Sequence, residues 1–314
     1  MLAYVLKRVL YVVPIVFFVA LVCFLLVHIA PGDPLVSILP PDASVELAAQ
    51  LRTAYGFDRP LPVQFGLWIM KALHGDLGTS IASGRPVLTE VMRAVGNTLL
   101  LAGVAAFIGF VAGVVLGLLA GYFRDTFVDK LATGIAIAGV SVPHYWLGMV
   151  LVIIFSVQLR WLPAVGAWSG DFTFTWDAIQ YLVLPALTMA VIPMGIVTRT
   201  VRALVGDILG QDFVEALRAK GLGEGRVFAH VIRNAAPTAI AVMGLQLGYL
   251  LGGSILIETV FSWPGTGFLL NSAIFQRDLP LLQGTILVLA LFFVFLNLVV
   301  DVAQAAIDPR IQRS

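Results

Sequence analysis

The chain has 314 residues, 60% of them hydrophobic and only 12% charged, with a mean hydropathy of +0.98. That excludes an ordinary soluble domain and reads as a polytopic membrane protein. A net charge of +1 offers no bulk basicity for nucleic acid, and the single cysteine, Cys23, rules out an intrachain disulfide and belongs to no Cys/His cluster with metal-ligand spacing.

Lys7 and Arg8 precede the first apolar run, as they would in a signal peptide or a first transmembrane segment. The run is longer than a typical signal-peptide core, and Pro31 follows Ala30 where cleavage would be expected, so a retained span over 10–29 is predicted. Five more apolar runs, 98–120, 131–157, 181–197, 239–260 and 282–302, each come near the ~20 residues that cross about 30 Å of hydrocarbon. The fourth of the six is short and holds Pro185 and Pro193, which a membrane helix tolerates where neighbours satisfy the freed carbonyls.

Between the first two spans, segment 31–96 is too polar to cross. Pro31-Gly32-Asp33-Pro34, Pro40-Pro41 and Arg59-Pro60-Leu61-Pro62 are turn signals, and short amphipathic helices are predicted over 45–55 and 63–73. The segment reads as a cap on the outer mouth, as a contact surface for a substrate-delivery protein, or both.

Charge sets the orientation. With the N-terminus inside, Lys7, Arg8, Arg124, Lys130, Arg199, Arg202, Arg218, Lys220, Arg226, Arg233, Arg310 and Arg313 face the cytoplasm, twelve of the 19 basic residues. Of the other seven, Arg52, Arg59, Lys71, Arg85 and Arg93 lie in the long 31–96 segment, where the positive-inside rule is weak, and Arg160 and Arg277 sit singly in short loops. Both termini and the 198–237 loop are therefore expected inside.

Gly109, Gly113, Gly117 and Gly121 recur every four residues in the second span, and Gly244, Gly248 and Gly252 do so in the fifth. Such stripes are packing surfaces, within the chain or to a second subunit. Polar groups inside the spans are the default pathway candidates: Gln246, His144, Ser156, Gln158, Asn297 and Asp301. At 100° per residue, Gln246 lies about 200° around its helix from Gly244, so it can face a translocation cavity. His144, after Pro143, is either a cavity-lining or a packing residue.

The second half carries one strongly polar island, residues 212–237. A helix-prone run over 213–220 meets Gly221, which can take φ > 0 and end the helix. The chain then doubles back through a second helical run, 226–234, that ends at Pro237. Glu215, Ala216, Arg218, Lys220, Gly221 and Arg226 form a short, stiff, charged element outside the bilayer. Small Ala216 and Gly221 suit insertion into a groove, and Arg218 and Lys220 suit acidic groups of a partner. Such an element can pass on the motion of a partner that docks there.

The island's Gly221-Leu-Gly-Glu-Gly-Arg lacks the Gly-Lys-Ser/Thr ending of a phosphate loop, so no ATP is expected on this chain. No Gly-x-Ser-x-Gly or His-Glu-x-x-His constellation, metal site or intramembrane catalytic pair is evident. A secondary transporter driven by an ion gradient is the rival reading. It would show a mid-membrane acidic site and internal repeats, and neither is apparent.

Glu215-Ala216, then Gly221, then the apolar–basic run to Pro237 resembles the EAA loop of ABC-transporter permease subunits, although Leu217 stands where a strict motif has a second alanine. The resemblance extends along the chain. Its pieces are Lys7-Arg8, His28-Ile-Ala-Pro-Gly-Asp-Pro34, Tyr55-Gly-Phe-Asp-Arg-Pro-Leu-Pro62, Gly75-Asp-Leu-Gly-Thr-Ser80 and Ser141-Val-Pro-His-Tyr-Trp-Leu-Gly148. Trp161-Leu-Pro-Ala-Val-Gly166, Leu184-Pro-Ala-Leu-Thr188, Thr198-Arg199, Phe261-Ser-Trp-Pro-Gly-Thr-Gly267, Asp278-Leu-Pro280 and Asp308-Pro309 complete the series. Phe268 departs from it, since a basic residue is common there. Together they look like the first permease subunit of the dipeptide/oligopeptide branch of ABC importers, which also includes nickel and glutathione importers.

The resemblance implies an all-α polytopic fold with six transmembrane helices of type I importer architecture. It implies an N-terminus and first helix over 1–30, a periplasmic segment over 31–96, and a core over 97–314 with its coupling loop at 205–237. It implies a bacterial inner-membrane complex with a second homologous permease, two ATPase subunits and a periplasmic binding protein. ATP and magnesium would sit on the ATPases, with no cofactor on this chain. Peptides are the first expected cargo, with glutathione or nickel complexes behind.

Overall fold

The computed structural model describes residues 2–29, 44, 46, 58–166, 168 and 172–307, and side chains at 2–9, 26–29, 300, 301 and 303–307 are outside that description. The predicted helix over 45–55, the turns at Pro31–Pro34 and Pro40-Pro41, the Asp308-Pro309 tail and the side chains of Lys7, Arg8 and Asp301 lie outside the described residues. Ten α-helices follow in order among the described residues: α1 Leu2–Ile29, α2 Leu61–Leu73, α3 Val87–Tyr122, α4 Phe127–Ser141, α5 His144–Leu151, α6 Trp176–Leu209, α7 Asp212–Ala219, α8 Glu224–Phe261, α9 Thr266–Gln276 and α10 Leu279–Ile307. Among the described residues, four helices, α3, α6, α8 and α10, are uninterrupted and apolar enough to cross a membrane.

The third expected span, 131–157, is not one helix. It is α4 followed by the segment His144–Gln158, in which α5 runs on into a π-helical stretch over Val152–Gln158, and the two halves turn by 101°. The break falls at Val142-Pro143, where Val142 is extended at ψ 128°. Proline clashes with a helical residue before it and has no N–H to give, so α5 starts afresh with Pro143 as its cap. The fourth span corrects in the other direction: α6 runs past both prolines to Leu209 rather than ending at 197. Likewise α8 continues through Pro237 to Phe261, so the second run of the polar island is the start of a span and does not stop at that proline.

The described chain separates into two compact units, Met1–Asn97 with Pro264–Leu298, and Thr98–Trp263 with Val299–Ser314. In the first, Val87, Val91, Val95, Ala273 and Leu281 form the buried core, and Phe24 and Phe65 meet edge to face at 5.3 Å. Gly284 lets α10 approach so closely that an added Cβ would collide with Val87.

In the second unit, α6 is the central helix and glycines set its distances. A Cβ added at Gly109 would lie 2.7 Å from the Ala190 carbonyl oxygen, at Gly113 2.9 Å from that of Met194, and at Gly117 2.8 Å from that of Thr198. On the side facing α4, Gly195 of α6 would meet the Ala136 carbonyl at 2.6 Å. These are backbone-to-backbone approaches that any larger residue would wedge apart. At Gly252 of the α8 stripe, by contrast, an added Cβ would meet nothing within 4 Å among the described residues.

Candidate functional site

The polar island folds into a short surface helix tied to the ends of two long ones. Hydrophobic spacing in α7 decides which face goes in. Val214 is fully buried, Phe213 and Leu217 are packed beside it, and all three join a cluster with Val205, Ile208, Val227, Val231 and Ala235. The opposite face carries Glu215, Ala216 and Arg218, all exposed, and Lys220, Gly221 and Arg226 beyond it are exposed too. The element is anchored through its apolar face while every charged residue singled out in the sequence remains on the surface.

The turn after α7 follows from one glycine. Gly221 takes φ +78°, its N–H donates to the Arg218 carbonyl at 2.9 Å, and the Leu222 N–H donates to the Leu217 carbonyl at 3.2 Å. This pair of bonds is a Schellman end, in which the left-handed residue is almost free of penalty only for glycine. Its customary apolar contact is present as well, since Leu217 and Leu222 both pack on the same cluster. The leucine at 217, out of place in a strict EAA motif, is the residue that seals the turn.

Arg218 closes the hairpin from the outside. Its Nε and a terminal nitrogen donate to the two carboxylate oxygens of Glu224 at 2.9 and 3.1 Å. Glu224 thereby holds the guanidinium pKa above its ordinary value. Arg218 is thus engaged within the chain, whereas Lys220 and Arg226 make no ion pair among the described residues. Beside this hairpin an open apolar cavity of about 390 Å³ is lined by Leu118, Leu119, Tyr122, Phe123, Gly225 and Phe228.

The anchor helix α6 is clamped about two turns before its end at Leu209. Arg202 donates through Nε to Asp129 Oδ1 and through a terminal nitrogen to Oδ2 at 2.8 Å, joining α6 to the first turn of α4. Asp129 is 3% exposed and also accepts from the Asp125 N–H at 3.0 Å and the Thr133 hydroxyl at 3.1 Å. Sequence reasoning missed Asp129. Its only signal was an acid in the first turn of a helix.

The intramembrane candidates do not form one cluster. Gln246 of α8 has its side-chain oxygen shut off from solvent with no hydrogen-bond partner among the described residues, and the Ser156 hydroxyl is in the same condition. His144 opens α5 half-buried, with Tyr145 as its ring neighbour at 6.4 Å, and no described contact links it to Gln246. Gln158 and Asn297 are exposed. The polar inventory left out the one carboxylate that α8 buries completely. Glu258 is 0% exposed and accepts from the Thr98 hydroxyl at 2.7 Å. A lone acid inside an apolar run was a signal available from the sequence, and only its partner, 160 positions away, was not.

Residues 113–313 match the family model "Binding-protein-dependent transport system inner membrane component", and residues 1–102 match "Binding-prot-dependent transport system membrane comp, N-term". The chain is 42% identical over 313 residues to the glutathione transport system permease protein GsiC of Salmonella paratyphi A, covering 99% of both chains. It is 41% identical over 313 residues to the protein of that name from Escherichia coli K12, again covering 99% of each. Among solved structures it resembles a chain of the MetNI methionine ABC transporter in an inward-facing form, with a TM-score of 0.56 at 20% identity, over 69% of this chain and 96% of that one.

Proposed function

The chain belongs to the binding-protein-dependent transport system inner membrane component family and is the permease of an ABC importer, and we propose that it carries glutathione or closely related peptides into the cytoplasm, driven through α7. The ABC class replaces the ion-gradient reading. The cargo rests on the full-length likeness to GsiC, and glutathione is itself a tripeptide, so it falls within the peptide class that the sequence suggested.

The observation that carries the coupling role is the construction of α7–α8. A rigid, apolar-anchored helix presents Glu215, Ala216, Lys220 and Arg226 to solvent, and Gly221 fixes its turn. A separate ATPase, binding ATP and magnesium itself, would seat on this face with both termini of the permease on the same side of the membrane. Its closure would move α6 and α8 together, because Val205, Val214 and Val227 share one cluster. The second permease of the pair is a homologue rather than a copy, and a periplasmic binding protein delivers the cargo. Nickel complexes are the second cargo reading.

Uptake tests the cargo. Proteoliposomes holding the complete complex should accumulate labelled glutathione only with ATP and the binding protein, and unlabelled glutathione should compete better than dipeptides. Uptake of dipeptides or nickel without glutathione competition would reassign it.

A further inference from the structure

The first unit contains a short helix whose outer face has the wrong chemistry for water. α2 has no buried residue, and Lys71 in its last turn is its one charge. Phe65, Trp68 and Ile69 are half-buried on the side turned toward α1. The opposite side carries Leu61, Val63, Leu67, Met70 and Leu73, all exposed, Met70 by 60% and Leu73 by 81%. A helix bathed in water carries its polar residues on that side. Gln64, the remaining polar residue of α2, is half-buried, and its amide donates to the Arg59 carbonyl at 2.8 Å.

The place where α2 is fastened decides what lies over its apolar face. Phe65 meets Phe17 and Phe24 of α1 edge to face at 5.8 and 5.3 Å, and Trp68 lies 6.1 Å from Phe24. Phe24 and Phe17 stand five and twelve residues before the end of α1 at Ile29, roughly 8 and 18 Å along the helix axis. The hydrocarbon of one leaflet is about 15 Å deep. α2 is therefore held beside the membrane-crossing part of α1 and not above its end. A soluble partner approaching along the membrane normal meets headgroups before it meets this face.

The ends of α2 suit a layer poor in water. Pro62 occupies one of the first-turn positions whose N–H has no helical partner. At the other end the N–H groups of His74, Gly75 and Asp76 close onto the carbonyls of Met70, Lys71 and Ala72, and the His74 ring donates from Nδ1 to the Met70 carbonyl at 2.7 Å. Charges flank the helix, with Asp58 and Arg59 before it and Lys71 near its end. Apolar residues between polar ends are the pattern of a helix lying in the interface.

We propose that α2 is an in-plane membrane helix whose Val63, Leu67 and Met70 face sits among phospholipid acyl chains, in the leaflet at the C-terminal end of α1. Seated there, it ties the segment between α1 and α3 to the bilayer. The proposal rests on α1 crossing the membrane, and on neither the cargo nor the role of α7.

The test uses the complete complex in nanodiscs of phosphatidylethanolamine and phosphatidylglycerol, without binding protein. Nitroxide labels are placed at Leu67→Cys and Met70→Cys, each combined with Cys23→Ala. Relaxation by oxygen, which concentrates among acyl chains, is compared with relaxation by a water-soluble nickel chelate. The oxygen effect should exceed the nickel effect severalfold at both positions, as at a Phe18→Cys label on α1, and an Arg85→Cys label should show the reverse. A dominant nickel effect at 67 and 70 overturns the proposal, because the face is then in water. So does protection from both reagents, which assigns the face to the second permease. A dominant nickel effect at 18 overturns instead the placement of α1 on which the proposal stands. On the unsubstituted complex, a phospholipid with a diazirine within its acyl chain should leave adducts on peptide 61–73 after illumination. Adducts on α1 with none on that peptide also overturn the proposal.

Discussion

The α6 neighbourhood and the α7–α8 hairpin belong to one unit and share one apolar cluster, yet they are held by opposite means. Around α6 the chain closes on itself: glycines bring backbones into contact at Ala190, Met194 and Thr198, and Arg202 reaches a carboxylate that is 3% exposed. At the hairpin only the inner face is buried, and the ion pair between Arg218 and Glu224 lies in solvent. Substitutions in the first region should therefore register as lost folding, and those on the outer face of the second as lost function in a folded protein.

The largest stability effect is expected from Arg202→Ala. It strands the Asp129 carboxylate with only the Asp125 N–H and the Thr133 hydroxyl. Breaking a pair of this kind costs about 3 kcal/mol, the lower end for buried pairs because the Arg202 side chain is 32% exposed. A thermal melt of the purified complex reads it, and an unchanged midpoint would erase the contrast.

Next comes Gly117→Leu, whose side chain would have to displace Val201 and the Thr198 carbonyl. Overpacking of this kind costs about 1–3 kcal/mol and should lower the yield of assembled complex. Gly252→Leu sharpens the comparison from the same sequence signal. Its Cβ would meet nothing within 4 Å among the described residues, so a loss of assembly there would point to the second permease as what covers it.

The smallest effect is expected from Arg218→Ala, which removes an exposed pair and should leave the melting midpoint within error. A clear drop would mean that the hairpin depends on that pair and not on its apolar face.

What could be read from the sequence was local. Gly221 sits at the end of a helix-prone run, and its left-handed turn follows from that position alone. The apolar spans were legible in hydropathy in the same way, while the all-α class came with the family resemblance. Helix limits failed where proline was judged by rule: Pro143 breaks its span, while Pro185, Pro193 and Pro237 are carried inside helices. Burial accounts for two of the three, since Pro237 is as exposed as Pro143. Pro185 and Pro193 are buried in the most enclosed of the spans, where neighbours hold the helix straight through. The buried roles of Asp129, Glu258 and Asp278 escaped for a related reason. A buried carboxylate is defined by its donors, and those at Arg202, Thr98 and Ser80 are 73, 160 and 198 positions away.

The central claim is that the 212–237 segment transmits the ATPase's motion. The direct measurement is ATP hydrolysis by the reconstituted complex, with and without loaded binding protein, for Gly221→Pro and Glu215→Arg. Proline would force φ near −65° where the turn holds +78°, and it would delete the N–H that Gly221 gives to Arg218. Arginine at 215 reverses an exposed charge on the docking face. Both variants should insert and pair with the second permease, while stimulation by the binding protein and uptake fall to background. If both retain wild-type ATPase binding, stimulation and uptake, this segment is not the coupling element.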